Sequence, residues 1–285
     1  MLILLPPSEG KTGAVRGRPV DLATLGFAGL TAARETVLDA LTALSDDPAR
    51  AAEVLGLGPT QAGEVARNGA LRRASARPAA EVYTGVLYEA LDVATLPAPA
   101  RRSLGRSVVV FSGLWGAVRL GDRIPAYRCP VGASLPGLGG LGAFWRRRMS
   151  AEMDAAAGRG LVIDLRSGAY AAMWAPSGLP APAGKPPGKP VAEPVAKPVG
   201  RVTGTGAGRV ATLRVLQERR VAGVPKRTVV SHFNKATKGR IVRDLALAGA
   251  RPATVPALVS ALRDLKYTIE ENGRPGQLDV VVTEL

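Results

Sequence analysis

A chain of 285 residues with 46% hydrophobic side chains can bury a substantial core, and it shows no bilayer-length apolar run and no basic signal-peptide start; its cysteine usage suits a reducing cytoplasm, where the protein is expected. One cysteine, Cys129, excludes an internal disulfide framework, and with His232 as the sole histidine no ordinary transition-metal cluster can form, so neither metal nor cofactor is expected. The formal charge of +15 is uneven: residues 201–251 hold twelve Lys/Arg against Glu218 and Asp244, which points to a polyanion and not to a membrane, a general basic bias being the plainer alternative.

Residues 2–5 read as a buried central strand that Pro6-Pro7 stops. Gly10-Lys11-Thr12 imitates the end of a phosphate-binding P-loop, but that motif's first glycine would fall at Leu5, inside the strand, so the match fails. Ser8, Glu9 and Lys11 are left as candidates for a cleft wall or as a solvated loop. Val37, Leu38, Leu41 and Leu44 form a helical stripe in residues 31–44.

Asp47-Pro48 is an N-cap followed by proline at the first helical position, and Gly56-Leu57-Gly58-Pro59 ends that helix. Thr60 can cap the next. Residues 47–68 therefore resemble a helix-hairpin-helix, in which Gly56 and Gly58 allow close backbone approach and exposed N–H groups hold a phosphate without reading sequence. Arg67, Arg72 and Arg73, with Arg77, follow with no acid among them and would widen a DNA-binding face. A plain helical corner is the alternative.

Residues 108–112 read as a second buried strand, ended by Ser112-Gly113. Arg119, Asp122, Tyr127 and Arg128 then sit in a bent segment just past a strand end, where α/β folds build sites. Taken alone, the segment also reads as a structural corner tied by an Arg–Asp pair. Cys129 beside Arg128 is either a thiolate-prone peroxide sensor or an inert thiol.

A helix is expected at 142–157, a strand at 161–165, and a short helix at 169–174 capped by Ser167. Residues 175–200 are rich in Pro, Gly and Lys and read as an extended or flexible insert. Strands at 209–216 and 227–232, helices at 234–247 and 255–265, and a hairpin pairing 267–270 with 278–284 complete the chain. Lys235 and Lys238 lie one turn apart near a helix start, where cations are disfavoured unless an anion binds.

Several of these segments together resemble the YaaA family of peroxide-stress resistance proteins, also called UPF0246 or DUF328. They are MLILLPPSEGKT, residues 82–91 (VYTGVLYEAL), Ser112-Gly113-Leu114-Trp115-Gly116 with Arg119, Asp122, Tyr127 and Arg128, Asp164-Leu165-Arg166-Ser167 with Tyr170, and residues 231–243. The resemblance implies a compact mixed α/β fold with a helix-hairpin-helix and a positively charged cleft. It also implies a cytoplasmic DNA-binding protein that limits damage from hydrogen peroxide and free iron.

The expectation is therefore an α+β (mixed α/β) fold, a single domain over 1–285 with a mixed sheet, a helix-hairpin-helix-like element at 47–68 and the insert at 175–200. Its partner would be duplex or damaged DNA, held by backbone contacts through Gly56, Gly58, Arg67, Arg72 and Arg73. A cleft of Ser8, Glu9, Lys11, Arg119, Asp122, Arg128, Lys235 and Lys238 would hold an anion. The alternative is an enzyme acting on a phosphorylated or nucleotide-like small molecule there; no catalytic spacing in the sequence supports a named reaction.

Overall fold

Four apolar residues form strand β1 (Leu2–Leu5), buried on both faces as a central parallel strand must be. The computed structural model describes residues 1–176, 209–221, 224–228 and 231–283. Helices α1 (Thr31–Leu44), α2 (Pro48–Leu55) and α3 (Gly63–Gly69) follow β1, then strand β2 (Arg77–Pro78) and helices α4 (Ala79–Val82), α5 (Val86–Leu91) and α6 (Ala98–Ser107). The chain re-enters the sheet as β3 (Val108–Ser112) and turns into β4 (Gly116–Arg119). Short β5 (Arg123–Ile124) pairs with β2, and β6 (Ser134–Leu135) with β7 (Gly139–Gly140). Helix α7 (Leu141–Ala157) leads to β8 (Val162–Asp164) and the single-turn α8 (Gly168–Ala171). Strands β9 (Val210–Val221) and β10 (Val224–Thr228), helices α9 (Ser231–Leu247) and α10 (Val255–Asp264), and the hairpin β11 (Thr268–Glu271) and β12 (Gln277–Val282) end it.

The strands assemble into one mixed eight-stranded sheet in the order β11-β12-β9-β8-β1-β3-β4, with β10 on the far end of β9. Strands β3, β1, β8, β9 and β12 are parallel, while β4, β10 and β11 run antiparallel to their neighbours. From β1 the chain first builds outward to β3, then crosses back to β8 on the other side. That reversal opens a crevice at the carboxyl ends of β1 and β8, the place where open α/β sheets receive ligands. One hydrophobic core joins the sheet to its helices, with Trp115, Trp145 and Trp174 fully buried.

Three local expectations need correction. Residues 227–232 do not form a strand: β10 stops at Thr228, and Ser231 and His232 already belong to α9. Thr60 does not cap α3. It lies inside a 3-10 turn, Pro59–Gln61, and the Gln61 side chain instead accepts from the Gly58 N–H at 3.1 Å. Ser167 occupies the N-cap of α8 but makes no side-chain capping bond. The Asp47 cap is present, accepting from Arg50 N at 3.1 Å, and Gly56 ends α2 with φ of 62°, a left-handed conformation that glycine adopts without strain. From residue 177 onward the insert lies outside the described residues.

Candidate functional site

The loop leaving β1 is pinned on both sides before it reaches the cavity. The Tyr88 hydroxyl donates to Pro6 O at 2.7 Å, and Thr84 N donates to Ser8 Oγ at 3.1 Å. Lys11 forms an antiparallel bridge with Tyr83. With the backbone held this way, Lys11 Nζ folds inward, donating to Ser8 O at 2.7 Å and lying 4.5 Å from the Tyr127 ring centre and 5.8 Å from that of Tyr83.

The facing wall is the segment after β5. Asn68 of α3, fully buried, donates to Arg128 O at 2.7 Å and accepts from Arg128 N at 2.9 Å. This fixes the Arg128 backbone, and the side chain, 15% exposed, comes 3.6 Å from Glu9 across the opening. Arg128 Nε is buried without a hydrogen-bond partner among the described residues. Ser167 and Tyr170, just past β8, close the third side, and Lys235 reaches in from the first turns of α9. Together they enclose a cavity of about 430 Å³. A neighbouring cavity of about 370 Å³ shares Ser8, Glu9 and Lys235 and extends to Thr84 and Tyr88.

Burial, reinforced by the positive Arg128, pulls the Lys11 ammonium down from 10.5 to about 8. Near physiological pH the ammonium still predominates, with a minor neutral fraction far larger than an ordinary lysine would have. Burial pushes the Cys129 thiol in the opposite direction, up to about 12. Cys129 is thus a protonated, buried thiol at neutral pH, not a thiolate awaiting peroxide. Tyr170 is raised to about 12, again chiefly by burial. Beneath Lys11 runs a buried hydroxyl chain. Ser112 Oγ accepts from Leu114 N and Trp115 N at 3.2 and 2.9 Å, so its own proton goes to Tyr127 Oη at 2.6 Å, and the Tyr127 and Tyr83 hydroxyls share a further hydrogen bond at 2.9 Å. The chain locks the Tyr127 ring under the amine.

The structure thus brings Ser8, Glu9, Lys11, Arg128 and Lys235 together at one cavity. Arg119, Asp122 and Lys238 do not line it. The Asp122 carboxylate accepts from Gly26 N and Arg119 N, at 3.1 and 2.8 Å, and so ties two loops together. The Arg119 guanidinium donates to Arg106 O at 2.7 Å and stacks on Phe27. Lys238 donates to Leu165 O at 3.2 Å, and burial lowers its pKa. It holds α9 against the end of β8.

The hairpin face differs from its reading in the sequence. Arg67 pairs with Glu64 at 2.6 Å, Arg77 with Glu81 at 2.8 Å, and Arg72 with both Glu35, at 2.7 Å, and Asp39. Acids from α1, α3 and α4 therefore dilute the field these arginines would project. Arg73 is exposed, and Gly56 and Gly58 sit in the link between α2 and α3.

Sequence reasoning missed Asn68 and Arg34. Arg34, fully buried, donates to Trp115 O at 3.1 Å and to Gly26 O and Ala117 O at 2.7 Å. Asn68 serves the Arg128 backbone and Arg34 chiefly the Trp115 and Ala117 carbonyls, all distant in sequence, so no local pattern marks either residue.

No helix among the described residues is long and apolar enough to cross a membrane. A UPF0246 protein of Streptomyces coelicolor is 52% identical over the full length of both chains. A UPF0246 protein of Corynebacterium efficiens is 38% identical over 99% of this chain and all of its own, and one of Corynebacterium glutamicum is 35% identical over 95% and 96%. The family model described as peroxide stress protein YaaA matches residues 1–272: the chain belongs to that family, and membership supports a role in peroxide stress.

Proposed function

We propose that the protein is a cytoplasmic DNA-binding protein of the peroxide response. It grips the phosphate backbone with little sequence preference and so limits the harm done by peroxide and free iron. The observation that carries this reading is the convergence of Lys11, Arg128 and Lys235 on one cavity at the carboxyl edge of β1 and β8. Three cations at one opening, one with a buried unpartnered N–H, suit a phosphate, and phosphates are alike at every base pair. The chain's net charge of +15 favours approach to any polyanion. The α2–α3 hairpin contributes by holding Arg128 through Asn68, and Gly56, Gly58, Arg67, Arg72 and Arg73 form a secondary surface.

Fluorescence anisotropy with unrelated duplexes across a salt series tests the reading. Similar affinities for all duplexes, falling steeply with salt, are expected. Absent or salt-insensitive binding overturns it. A second reading, an enzyme acting on a phosphorylated or nucleotide-like molecule, is favoured by the cavity's volume of about 430 Å³, which suits a small ligand better than a duplex.

A further inference from the structure

We propose that Lys11 is an amine nucleophile that captures an aldehyde lying next to a phosphate, forming an imine inside the cavity while Arg128 and Lys235 hold the phosphate. The proposal rests on the phosphate-binding reading above. Its chemical class of ligand is an open-chain sugar aldehyde bearing phosphate, whether a free sugar phosphate or a base-free deoxyribose within DNA.

The geometry around Nζ carries the inference. The carboxylate nearest in sequence, Glu9, is turned to Arg128 at 3.6 Å, leaving Nζ to the backbone oxygens of Ser8 and Glu9 at 2.7 and 3.4 Å. On its other side lie the faces of Tyr127 and Tyr83. A lysine is made nucleophilic by desolvation and by a neighbouring cation, and Lys11 has both, the second being Arg128. An ion-paired lysine would stay protonated and inert. The same surroundings rule out the other soft nucleophile at the cavity, because the Cys129 thiol keeps its proton.

The step balances without any oxidant or reductant. The neutral amine's lone pair attacks the carbonyl carbon, forming C–N, and a proton passes from nitrogen to oxygen to give the carbinolamine. Loss of that hydroxyl with a second proton from nitrogen releases one water and leaves C=N. The cavity volume of about 430 Å³ accepts a pentose phosphate.

Reductive trapping of the full-length protein tests this. One arm uses a duplex with a single base-free deoxyribose, the other deoxyribose 5-phosphate; each is treated with cyanoborohydride, whose hydride converts the imine to a stable secondary amine, and the adduct is located by peptide mass mapping. An adduct confined to Lys11 is expected. Trapping in the duplex arm alone identifies DNA as the source, and trapping in the free-sugar arm identifies a small molecule. Lys11→Arg keeps the charge and should lose the adduct, because a guanidinium stays protonated and cannot form the imine. Should that variant fail to fold, the map of the unaltered chain decides. No adduct in either arm, or modification spread over surface lysines, overturns the proposal. Undamaged-duplex binding measured alongside separates its failure from that of the DNA reading: binding without an adduct leaves the latter standing, and an adduct with the free sugar but no duplex binding leaves only the former.

Discussion

The Asn68 side chain and the Arg128 backbone exchange two hydrogen bonds, at 2.7 and 2.9 Å, across sixty positions of sequence. Helix α3 thereby sets the position of a cation that lines the cavity. The hairpin element and the cleft, separate candidates in the sequence, are mechanically one unit.

Asn68→Ala should show this coupling. Removing the amide leaves the Arg128 carbonyl and N–H without their buried partner, at a cost of about 2 kcal/mol. Duplex binding should weaken as well, although Asn68 does not line the cavity. Urea denaturation and anisotropy on the same preparation check both. Lower stability with unchanged binding would show that Arg128 does not need its support.

Lys11 should weaken the fold it serves. Its pKa is about 8 folded against 10.5 unfolded, so between these values the unfolded chain holds a proton the folded chain has lost, and stability rises with pH. The penalty is complete below about 8. Arg128, Glu9, Glu64 and Cys129 are the titratable or charged neighbours, with the Tyr127 and Tyr83 rings below. Lys11→Met should therefore raise the melting temperature at pH 7, and the gain should shrink toward pH 10. Equal pH profiles for the two proteins would contradict the depressed pKa.

Gly239 lies where α9 crosses α5. A Cβ there would overlap the Leu87 carbonyl oxygen and press on Leu91 N. Gly239→Ala should cost about 2 kcal/mol by overpacking. It should also displace the start of α9, and with it Lys235, from the cavity. Thermal unfolding reads the first effect and the salt slope of duplex binding the second. A stable variant would mean that the helices part easily.

The sheet was legible because its central strands are continuous apolar runs stopped by Pro6-Pro7 and Gly113, and burial on both faces demands that pattern. Four of the cavity's groups, Ser8, Glu9, Lys11 and Arg128, could be found because they follow such strands or the turns beside them. Asp122 looked equally promising, yet its carboxylate serves Gly26, ninety-six residues away. Arg72 looked like a free cation because its acids, Glu35 and Asp39, sit on a helix packed alongside. Polar partners chosen in three dimensions leave no periodic trace, whereas burial does.

On the proposed DNA-binding reading, charge distinguishes the cavity from the α2–α3 link as the face that would meet phosphate. Each phosphate neutralised by the protein contributes about 0.9 to the slope of log affinity against log salt. Arg72 already faces Glu35 and Asp39, so a phosphate must compete with two carboxylates for it. Arg128 has one looser acid, Glu9, which is 84% exposed and free to swing away. Lys235 is exposed at the mouth. Arg128→Ala and Lys235→Ala should each flatten the slope by about 0.9 and weaken binding to unrelated duplexes alike. Arg72→Ala should change the slope by much less. Glu35→Gln with Asp39→Asn, which frees Arg72, should instead steepen it, since an unpaired cation becomes available. Anisotropy titrations of the unaltered protein and the four variants over one salt series supply the comparison. A larger loss of slope in Arg72→Ala than in Arg128→Ala would move the DNA face to the hairpin.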